Sequence, residues 1–397
     1  MSSSPPPPYG QSPLRVVQVL GGGSAGSSAH VRSLTAGLVA RGVRVTVCAP
    51  AELEQAYGFA GAGADVVNVP RRGDPVAVAA LRTACVGADV VHAHGLHAAV
   101  RAAFAVSGMP AGRRTARWPE GRQGERPDGS QADRPVPRVP LVVTWHTRPH
   151  TEGARGHVAR LMERRAVRAA SVVLGTSSEL VDRARGGGAR DARLAPVTVP
   201  APRPPTGYQE SKARAELGAV ERPLLMAVGS LVPHRGYDVL LDASRAWRGL
   251  DPAPLLTIAG EGHDRGALQR RIETEDLPVR LIGRREDISE LLAAADVAVL
   301  PSRWEARSVL AQEALRAGVA LVATDVGGVR ELVGDAAEFV PYGDADALGR
   351  AVLALLDDPE RRAALAAAGR RQAATWPTED ETVAQVLSVY DELTGHG

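Results

Sequence analysis

The chain has 397 residues, of which 44% are hydrophobic and 23% charged, and its formal net charge is +2. This composition is globular, and the length allows two domains. The small net charge gives no electrostatic reason to expect nucleic-acid binding. The two cysteines form neither a disulfide framework nor a metal-binding set, so we expect a reducing, cytoplasmic setting. No run of 18 apolar residues and no apolar signal-peptide core stand out, so we expect no membrane-spanning helix and no secretory signal.

The first half of the chain opens like a Rossmann-like domain. A Ser/Pro-rich segment over residues 1–13 is predicted to be a disordered tail. A strand over 14–20, a glycine-rich turn over 21–27 and a helix from about Ser28 to Arg41 follow. The turn has neither the acid-linked dinucleotide fingerprint nor the Gly-Lys-Ser/Thr of a Walker A loop. Its bare backbone suits approach to a phosphate or a sugar, and the alternative is a flexible turn that binds nothing.

Two later strands of this half end in histidines. His92 and His94 share one face of a strand within 88–95, and a metal site there is disfavoured because no Cys, Asp or Glu completes a ligand set. The strand over 140–145 delivers His146 at its carboxyl end, where open parallel sheets bind ligands. A histidine in this place either packs or contacts a ligand, and its position favours the contact. The last clear strand of this half is 171–177.

Three segments of this half are rich in arginine or proline. Residues 111–138 show no periodicity and are predicted to be a disordered insert. The helix predicted over 152–170 is arginine-rich, with a solvated face as the default and contact with an anionic membrane surface as the alternative. Residues 196–208 are proline-rich and are predicted to link two domains.

The second half repeats the alternation of strands and helices. Its predicted strands cover 224–229, 255–260, 279–283, 297–300 and 320–324. Helices are predicted over 344–356, 359–368 and 382–393. The two halves are therefore similar in class and size, and the crevice between such halves is a natural ligand site.

The stretch Pro301 to Leu332 carries the chemistry of the second half. Glu305 follows a predicted strand, and Glu313 lies about a turn and a half inside the next helix. Ser308 is the predicted N-cap of that helix. The backbone N–H groups of Ser308, Val309 and Leu310 suit a diphosphate, and carboxylates accept hydrogen bonds from sugar hydroxyls. The stretch therefore predicts binding of a nucleotide-sugar, against the alternative of two solvated helix charges.

The same stretch resembles the E-x7-E signature of the retaining family-4 glycosyltransferases. The resemblance extends from about Leu14 to Leu393, apart from the insert, and implies an α/β GT-B fold: two Rossmann-like domains facing across a deep cleft, with the C-terminal helix crossing back to the first domain. It implies that Glu313 holds the ribose hydroxyls and that Glu305 holds the sugar hydroxyls and orients the anomeric carbon. It also implies that His146, within a T-x-H motif, reaches the donor sugar.

The remaining motifs match the family with departures. Gly26 matches the glycine of the G-G-x-x-x-H-V opening that lies against the donor phosphates. In the family's G-R-L-x-x-x-K-G turn, which grips the diphosphate, Ser230 replaces the Arg and Arg235 replaces the Lys. Arg303 or Arg307 could supply the missing charge. The turns that resemble those near the ribose and base contain Gly260 and Arg284.

We therefore predict a metal-independent retaining glycosyltransferase, without a cofactor, that uses a UDP- or GDP-sugar donor and a same-face mechanism. Its acceptor is a glycan, a lipid-linked molecule or a small molecule. Ser230, and Ala306 in place of a glycine, motivate the alternative of a weak or inactive nucleotide-sugar-binding protein. A nucleotide-sugar epimerase is a third hypothesis that no motif supports. The predicted parts are a tail over 1–13, an acceptor-side domain over 14–200, a nucleotide-sugar domain over 201–375 and a crossover helix within 376–397.

Overall fold

The computed structural model describes residues 13–22, 25–71, 75–107, 138–151, 153–197 and 206–395. Apart from Pro13 and Arg138, the predicted tail and the predicted insert lie outside these residues. The chain divides into two compact units. The first unit comprises Met1–Thr176, Leu180–Ala195 and Thr378–Gly397, and the second comprises Ser177–Glu179 and Pro196–Pro377.

The first unit is built on a parallel sheet, whose described strands run in the order β3-β2-β1-β4-β5-β6-β7. The strands are β1 (Arg15–Leu20), β2 (Arg44–Ala49), β3 (Asp65–Asn68), β4 (Val90–His94), β5 (Leu141–Trp145), β6 (Val172–Gly175) and β7 (Ala192–Leu194). From β1 the chain first builds outward through β2 and β3, then returns to β4 on the other side. A parallel sheet opens a crevice at such a reversal, beyond the carboxyl ends of the two strands.

The helices of the first unit cover both faces of this sheet. They are α1 (Ala25–Ala40), α2 (Ala51–Tyr57), α3 (Pro75–Ala84), α4 (Leu96–Val106), α5 (Gly153–Ala169), α6 (Ser178–Gly187) and α15 (Glu379–Thr394). A capping box between Thr378 and Glu381 starts α15. Buried side chains of α15, among them Val386 and Tyr390, join those of α1 in one apolar core. The prediction that the C-terminal helix returns to the first domain is therefore confirmed.

The second unit is a parallel sheet whose described strands run in the order β10-β9-β8-β11-β12-β13. The strands are β8 (Leu224–Val228), β9 (Leu255–Ala259), β10 (Val279–Gly283), β11 (Val297–Leu300), β12 (Ala320–Thr324) and β13 (Glu338–Val340). The helices are α7 (Gly207–Leu217), α8 (Tyr237–Ser244), α9 (Arg265–Thr274), α10 (Ile288–Ala293), α11 (Val309–Ala317), α12 (Val329–Val333), α13 (Ala345–Asp357) and α14 (Pro359–Ala373). Alternate residues of the strands fill two apolar layers, one on each face. Here the order reverses between β8 and β11.

Several predicted boundaries were wrong, for local reasons. Helix α1 begins at Ala25 instead of Ser28, and α14 continues beyond the predicted residue 368 to Ala373. Strand β7 follows the predicted last strand of the first half; it is short, with the charged Arg193 at its centre, so it lacks an apolar run. Helix α7 takes the end of the predicted linker, because Thr206 and Gln209 form a capping box.

None of the described helices combines the length and the apolarity needed to span a bilayer.

Candidate active site

Turn geometry in the second unit brings Arg235 next to Glu305. Arg235 ends a short 3-10 turn after β8, and Glu305 lies in the loop after β11. Gly236 follows with φ +69°, and a Cβ there would collide with the carbonyl oxygen of Pro301. Only glycine allows this approach. The turn after β8 is therefore held against the end of β11, at the reversal of strand order.

Glu305 is buried, and hydrogen bonds hold both its carboxylate and its backbone carbonyl. Its Oε1 accepts hydrogen bonds from Arg235 Nη1 and, at 3.0 Å, from Ser302 Oγ. Burial raises the pKa of Glu305, and the charge of Arg235 and the Ser302 hydroxyl oppose that rise. The carbonyl of Glu305 accepts the N–H of Gly328 at 2.8 Å, and a Cβ on Gly327 would collide with it. Glu305 is therefore a fixed carboxylate in a low-dielectric place.

Arg235 has more donors than the described residues satisfy. Its Nη1 contacts Glu305, whereas its buried Nε has no hydrogen-bond partner in the described part of the chain. The backbone of Gly229 lies alongside, since a Cβ there would come within 3.6 Å of that Nε. A buried N–H without an acceptor costs about 1–3 kcal/mol. An anionic ligand oxygen at this place would remove that cost.

Helix α11 starts directly after this pair. Ser308 is its N-cap, as predicted, and its Oγ accepts the N–H of Ala311 at 3.3 Å. The first intrahelical bond runs from Gln312 N–H to the carbonyl of Ser308 at 3.1 Å. The N–H groups of Val309 and Leu310 therefore lie in the first turn, where the helix itself has no carbonyl for them. They have the orientation that binds anions at helix starts.

Glu313 lies further along α11 and is half-buried. Burial raises its pKa to about 7, against the opposing charge of Arg316. The carboxyl therefore keeps its proton to a higher pH than an exposed glutamate does. A ligand that donates hydrogen bonds to the carboxylate would favour its ionised form.

The other predicted residues of the second unit lie in the loops that follow its strands. Gly260 follows β9, and its N–H donates to the carbonyl of Gly283 at 2.8 Å. Ser230 and Arg284 are exposed at the ends of β8 and β10. Arg307 donates from Nε to the carbonyl of Val197 at 2.8 Å, and burial lowers its pKa to about 10.

The first unit presents polar side chains at its own reversal of strand order. Five polar side chains follow the two-residue period of one sheet face. They are Gln18 on β1, His92 and His94 on β4, Thr144 on β5 and His146 just after it. His146 Nε2 lies 3.3 Å from His94 Nδ1. The other four side chains are buried, and they form hydrogen bonds with one another and with Tyr390 of α15.

Helix α1 flanks this face. The ring of His30 packs on those of His94 and His146, with centroids 5.9 and 5.5 Å apart. Gly26 lies in the first turn of α1 and not in a preceding loop, because the helix starts earlier than predicted. In the described part of the chain, no group of three His, Cys, Asp or Glu side chains is arranged to hold a metal ion.

The sequence matches two family models along most of its length. Residues 25–200 match "Glycosyl transferase 4-like domain", and residues 209–372 match "Glycosyl transferases group 1". D-inositol 3-phosphate glycosyltransferase of Xylanimonas cellulosilytica is 32% identical over 287 residues, which are 64% of this chain and 67% of that protein. The chain belongs to the family-4 glycosyltransferases of GT-B fold.

Other family-4 glycosyltransferases and GT-B structures are similar over different spans. The GDP-mannose-dependent monoacylated alpha-(1-6)-phosphatidylinositol monomannoside mannosyltransferase of Corynebacterium glutamicum is 35% identical over 44% of this chain and 49% of its own length. The chain spans about half to two thirds of the curated relatives it matches. Anabaena Alr3699/HepE in complex with UDP-glucose shares the fold, with a TM-score of 0.76, 19% identity, and coverage of 95% of this chain and 100% of that one.

Sequence reasoning missed the residues that hold the predicted ones in place. Ser302 donates to Glu305, and Gln18 and Tyr390 bond to the strand histidines. Ser302 stands in the Pro-Ser that precedes the signature, and Gln18 is a polar residue inside an apolar strand. Those two signals were available, whereas Tyr390 lies far along the chain and gives no local signal.

Proposed function

We propose that this chain is a retaining glycosyltransferase that moves a sugar from a nucleotide-diphosphate sugar to an acceptor. The observation that carries the proposal is Glu305, a buried carboxylate bound to Arg235 and Ser302 just before the start of α11. An acid, an arginine with an unpaired N–H and a helix start then lie side by side. This set matches a ligand that carries hydroxyls next to phosphates.

In the proposed step, the bond between the anomeric carbon and the phosphate oxygen breaks. The acceptor oxygen forms its bond on the face that the diphosphate leaves, so the configuration is retained. The leaving diphosphate takes the electron pair of the broken bond and then the proton of the acceptor hydroxyl. Arg235 and the N–H groups of Val309 and Leu310 stabilise its charge without a metal ion.

The remaining residues hold the two ends of the donor. Glu305 binds hydroxyls of the sugar and orients its anomeric carbon, and Glu313 binds the ribose hydroxyls. His146 contacts the sugar, and Gly26 approaches the diphosphate. The turns with Ser230, Gly260 and Arg284 lie near the diphosphate, ribose and base. A UDP- or GDP-sugar is favoured, since the mannosyltransferase relative is named GDP-mannose-dependent and the Anabaena structure contains UDP-glucose.

A panel of UDP- and GDP-sugars with the purified full chain tests the proposal. We expect slow hydrolysis of one donor, faster turnover with the right acceptor, retention of the anomeric configuration and no loss in the presence of a chelator. Hydrolysis should fall at least about 100-fold in Glu305→Gln. Inverted product, or Glu305→Gln hydrolysis close to that of the wild type, would contradict the proposal.

A weak or inactive nucleotide-sugar-binding protein is the second candidate. It is favoured by the exposed Ser230, where a phosphate-binding arginine is expected, and by the buried side chain of Ala306. Thermal stabilisation by a donor with no turnover, even with acceptor extracts, would support it. Release of an epimerised sugar would instead support an epimerase.

A further inference from the structure

A continuous series of hydrogen bonds crosses the interior of the first unit and ends at His146. We call Tyr390, Gln18, His94 and His146 the histidine chain. Gln18 Nε2 donates to the Tyr390 hydroxyl at 3.1 Å, and Gln18 Oε1 lies 2.6 Å from His94 Nε2. His94 Nδ1 lies 3.3 Å from His146 Nε2. Gln18 and Tyr390 have no exposed surface, so water does not compete for these bonds.

The orientation of the Gln18 amide decides where the protons lie. An amide oxygen can only accept, so His94 must carry its proton on Nε2. A neutral His94 then has a lone pair on Nδ1, and His146 Nε2 must donate to it. His146 consequently keeps a lone pair on its second ring nitrogen, Nδ1.

The surroundings of His94 and His146 favour neutral imidazole rings. Burial lowers the pKa of both His94 and His146 well below the usual value, and neighbouring histidines lower them further. Burial alone lowers the pKa of the adjacent His30 to about 4. The cluster therefore carries no positive charge at neutral pH.

A branch of the histidine chain couples the tautomer of His92 to the same Gln18 amide. The Tyr390 hydroxyl accepts from Gln18 and lies 2.6 Å from His92 Nδ1, so it donates there. His92 then carries its proton on Nε2, which lies 2.6 Å from Thr144 Oγ1. Reversing the Gln18 amide would reverse every one of these bonds. His92, His94 and His146 must therefore share one tautomer.

We propose that Gln18 and His94 are positioning residues that hold His146 as the neutral Nε2–H tautomer, so that its Nδ1 accepts a hydrogen bond from a hydroxyl of the donor sugar. The second half of this statement rests on the proposed function, whereas the tautomer itself does not. The device adds specificity, because a sugar carbonyl or carboxylate oxygen in that place would meet a lone pair instead of a donor.

The tautomer can be read directly by 15N NMR of the full chain labelled at its ten histidines. A His146→Gln spectrum identifies the signals of His146 by their loss, and corresponding variants identify His92 and His94. We expect all three rings in the wild type to be neutral Nε2–H tautomers at pH 7.5. Mixed tautomers, averaged signals or a shared Nδ1–H tautomer would overturn the proposal.

Gln18→Leu tests the part of the chain that sets the tautomer. Removing the amide leaves His94 Nε2 without its acceptor, so His146 should change to an averaged pair of tautomers. Gln385→Leu is the matched control, since Gln385 is exposed on α15 and its amide donates to the carbonyl of Leu194. A folded Gln18→Leu protein in which His146 stays a pure Nε2–H tautomer would show that Gln18 does not position it.

Kinetics with UDP-glucose and GDP-mannose separate this proposal from the proposed function. Gln18→Leu should lower kcat/KM for the hydrolysed donor about tenfold, while UDP or GDP alone binds as in the wild type. If His146→Ala leaves turnover unchanged, the role of His146 in the proposed function fails, whatever its tautomer. If His146→Ala loses turnover and a folded Gln18→Leu does not, the positioning role fails alone.

Discussion

The two units place polar groups at the same point of similar sheets but use different chemistry there. In the first unit, neutral histidines and the Gln18 amide satisfy one another in the sheet interior. In the second, the charged pair of Glu305 and Arg235 lies beside a helix start. Neutral hydrogen-bonding groups suit sugar hydroxyls, and a cation at a helix start suits phosphate. Under the proposed function, the same fold provides two kinds of recognition through a few strand-end residues.

The pKa values of the two units reflect this division. Burial lowers the pKa of His30 to about 4 and of His92 to about 3. It raises the pKa of Glu305 and brings that of Glu313 to about 7. The first unit should therefore lose stability in acid, where its histidines would become protonated. The second unit should lose stability at higher pH, where its buried carboxyl groups ionise.

We expect acid to reduce the stability of the first unit strongly, because its buried histidines become protonated on unfolding. A lowered pKa means that the unfolded chain binds more protons below pH 6.5, so stability is full above that pH and is lost as the pH falls. Between pH 6.5 and 5, His30 and His92 should each cost about 2 kcal/mol. Urea unfolding of the full chain at pH 7 and pH 5 measures the loss.

The double variant His30→Gln/His92→Gln should lose much less stability over the same interval. His263→Gln is the control, because that histidine is 70% exposed in the second unit. Equal losses in the wild type and the double variant would show that these two histidines do not titrate on unfolding.

Replacement of the buried acid of the second unit should affect catalysis more than binding. Glu305→Gln keeps the shape but removes the charge, and we expect turnover to fall by about 10²–10³-fold. The affinity for UDP or GDP alone should change little. Glu275→Gln is the control, since Glu275 pairs with two arginines away from the site. Glu305→Gln turnover close to that of the wild type would refute the role of this carboxylate.

Removal of the cation beside it should weaken both donor binding and turnover. Arg235→Ala should lose at least about 2 kcal/mol, roughly 30-fold, because a charged contact to phosphate is lost and Glu305 is left buried without its partner. The measurement is donor kcat/KM together with calorimetric UDP or GDP affinity. Arg245→Ala, which removes exposed ion pairs, should change neither. Unchanged kinetics in Arg235→Ala would remove Arg235 from the site.

The smallest effect concerns Glu313 and has the opposite pH dependence to the histidines. Its pKa of about 7 lies above the usual glutamate value of 4.5, so the folded state holds the proton more tightly and loses stability as the pH rises from 4.5 through 7. Glu313→Gln should abolish this loss, which the partial exposure of Glu313 reduces from a full linkage value of about 3 kcal/mol to about 1–2 kcal/mol at pH 8. Melting temperatures from pH 5 to 8 measure it.

Glu273→Gln, at an exposed position, should follow the wild type throughout this series. A Glu313→Gln curve parallel to that of the wild type would mean that Glu313 is ionised at all these pH values.

The fold was predictable because each unit repeats apolar strands and capped helices. Seven strands contain apolar runs that do not follow a helical period: β1, β4, β5, β8, β9, β11 and β12. Their observed ends lie within one residue of the predicted ones, except that β4 begins two residues later than predicted. Short strands such as β7 and β13 exist only through pairing with a neighbour, so they gave no signal. The start of α1 was misplaced because glycine and serine in its first turn resemble a loop.

The site was predictable only in part. Glu305, Ser308 and Arg235 lie in sequence motifs whose residue spacing indicates a function. The predicted helix N-cap at Ser308 is confirmed. The contact between Arg235 and Glu305 depends on Gly236 fitting against Pro301, a packing relation that no local pattern encodes. The histidine chain likewise needs Gln18 and Tyr390, 372 residues apart, to meet.

A crystal structure of the full chain with UDP or GDP bound would show directly where the diphosphate lies. We expect a diphosphate oxygen about 3 Å from Arg235 Nε and from the N–H groups of Val309 and Leu310. It also predicts that the ribose hydroxyls lie on the carboxylate of Glu313. A nucleotide bound elsewhere, with the Arg235 Nε still unpaired, would contradict the proposed donor site.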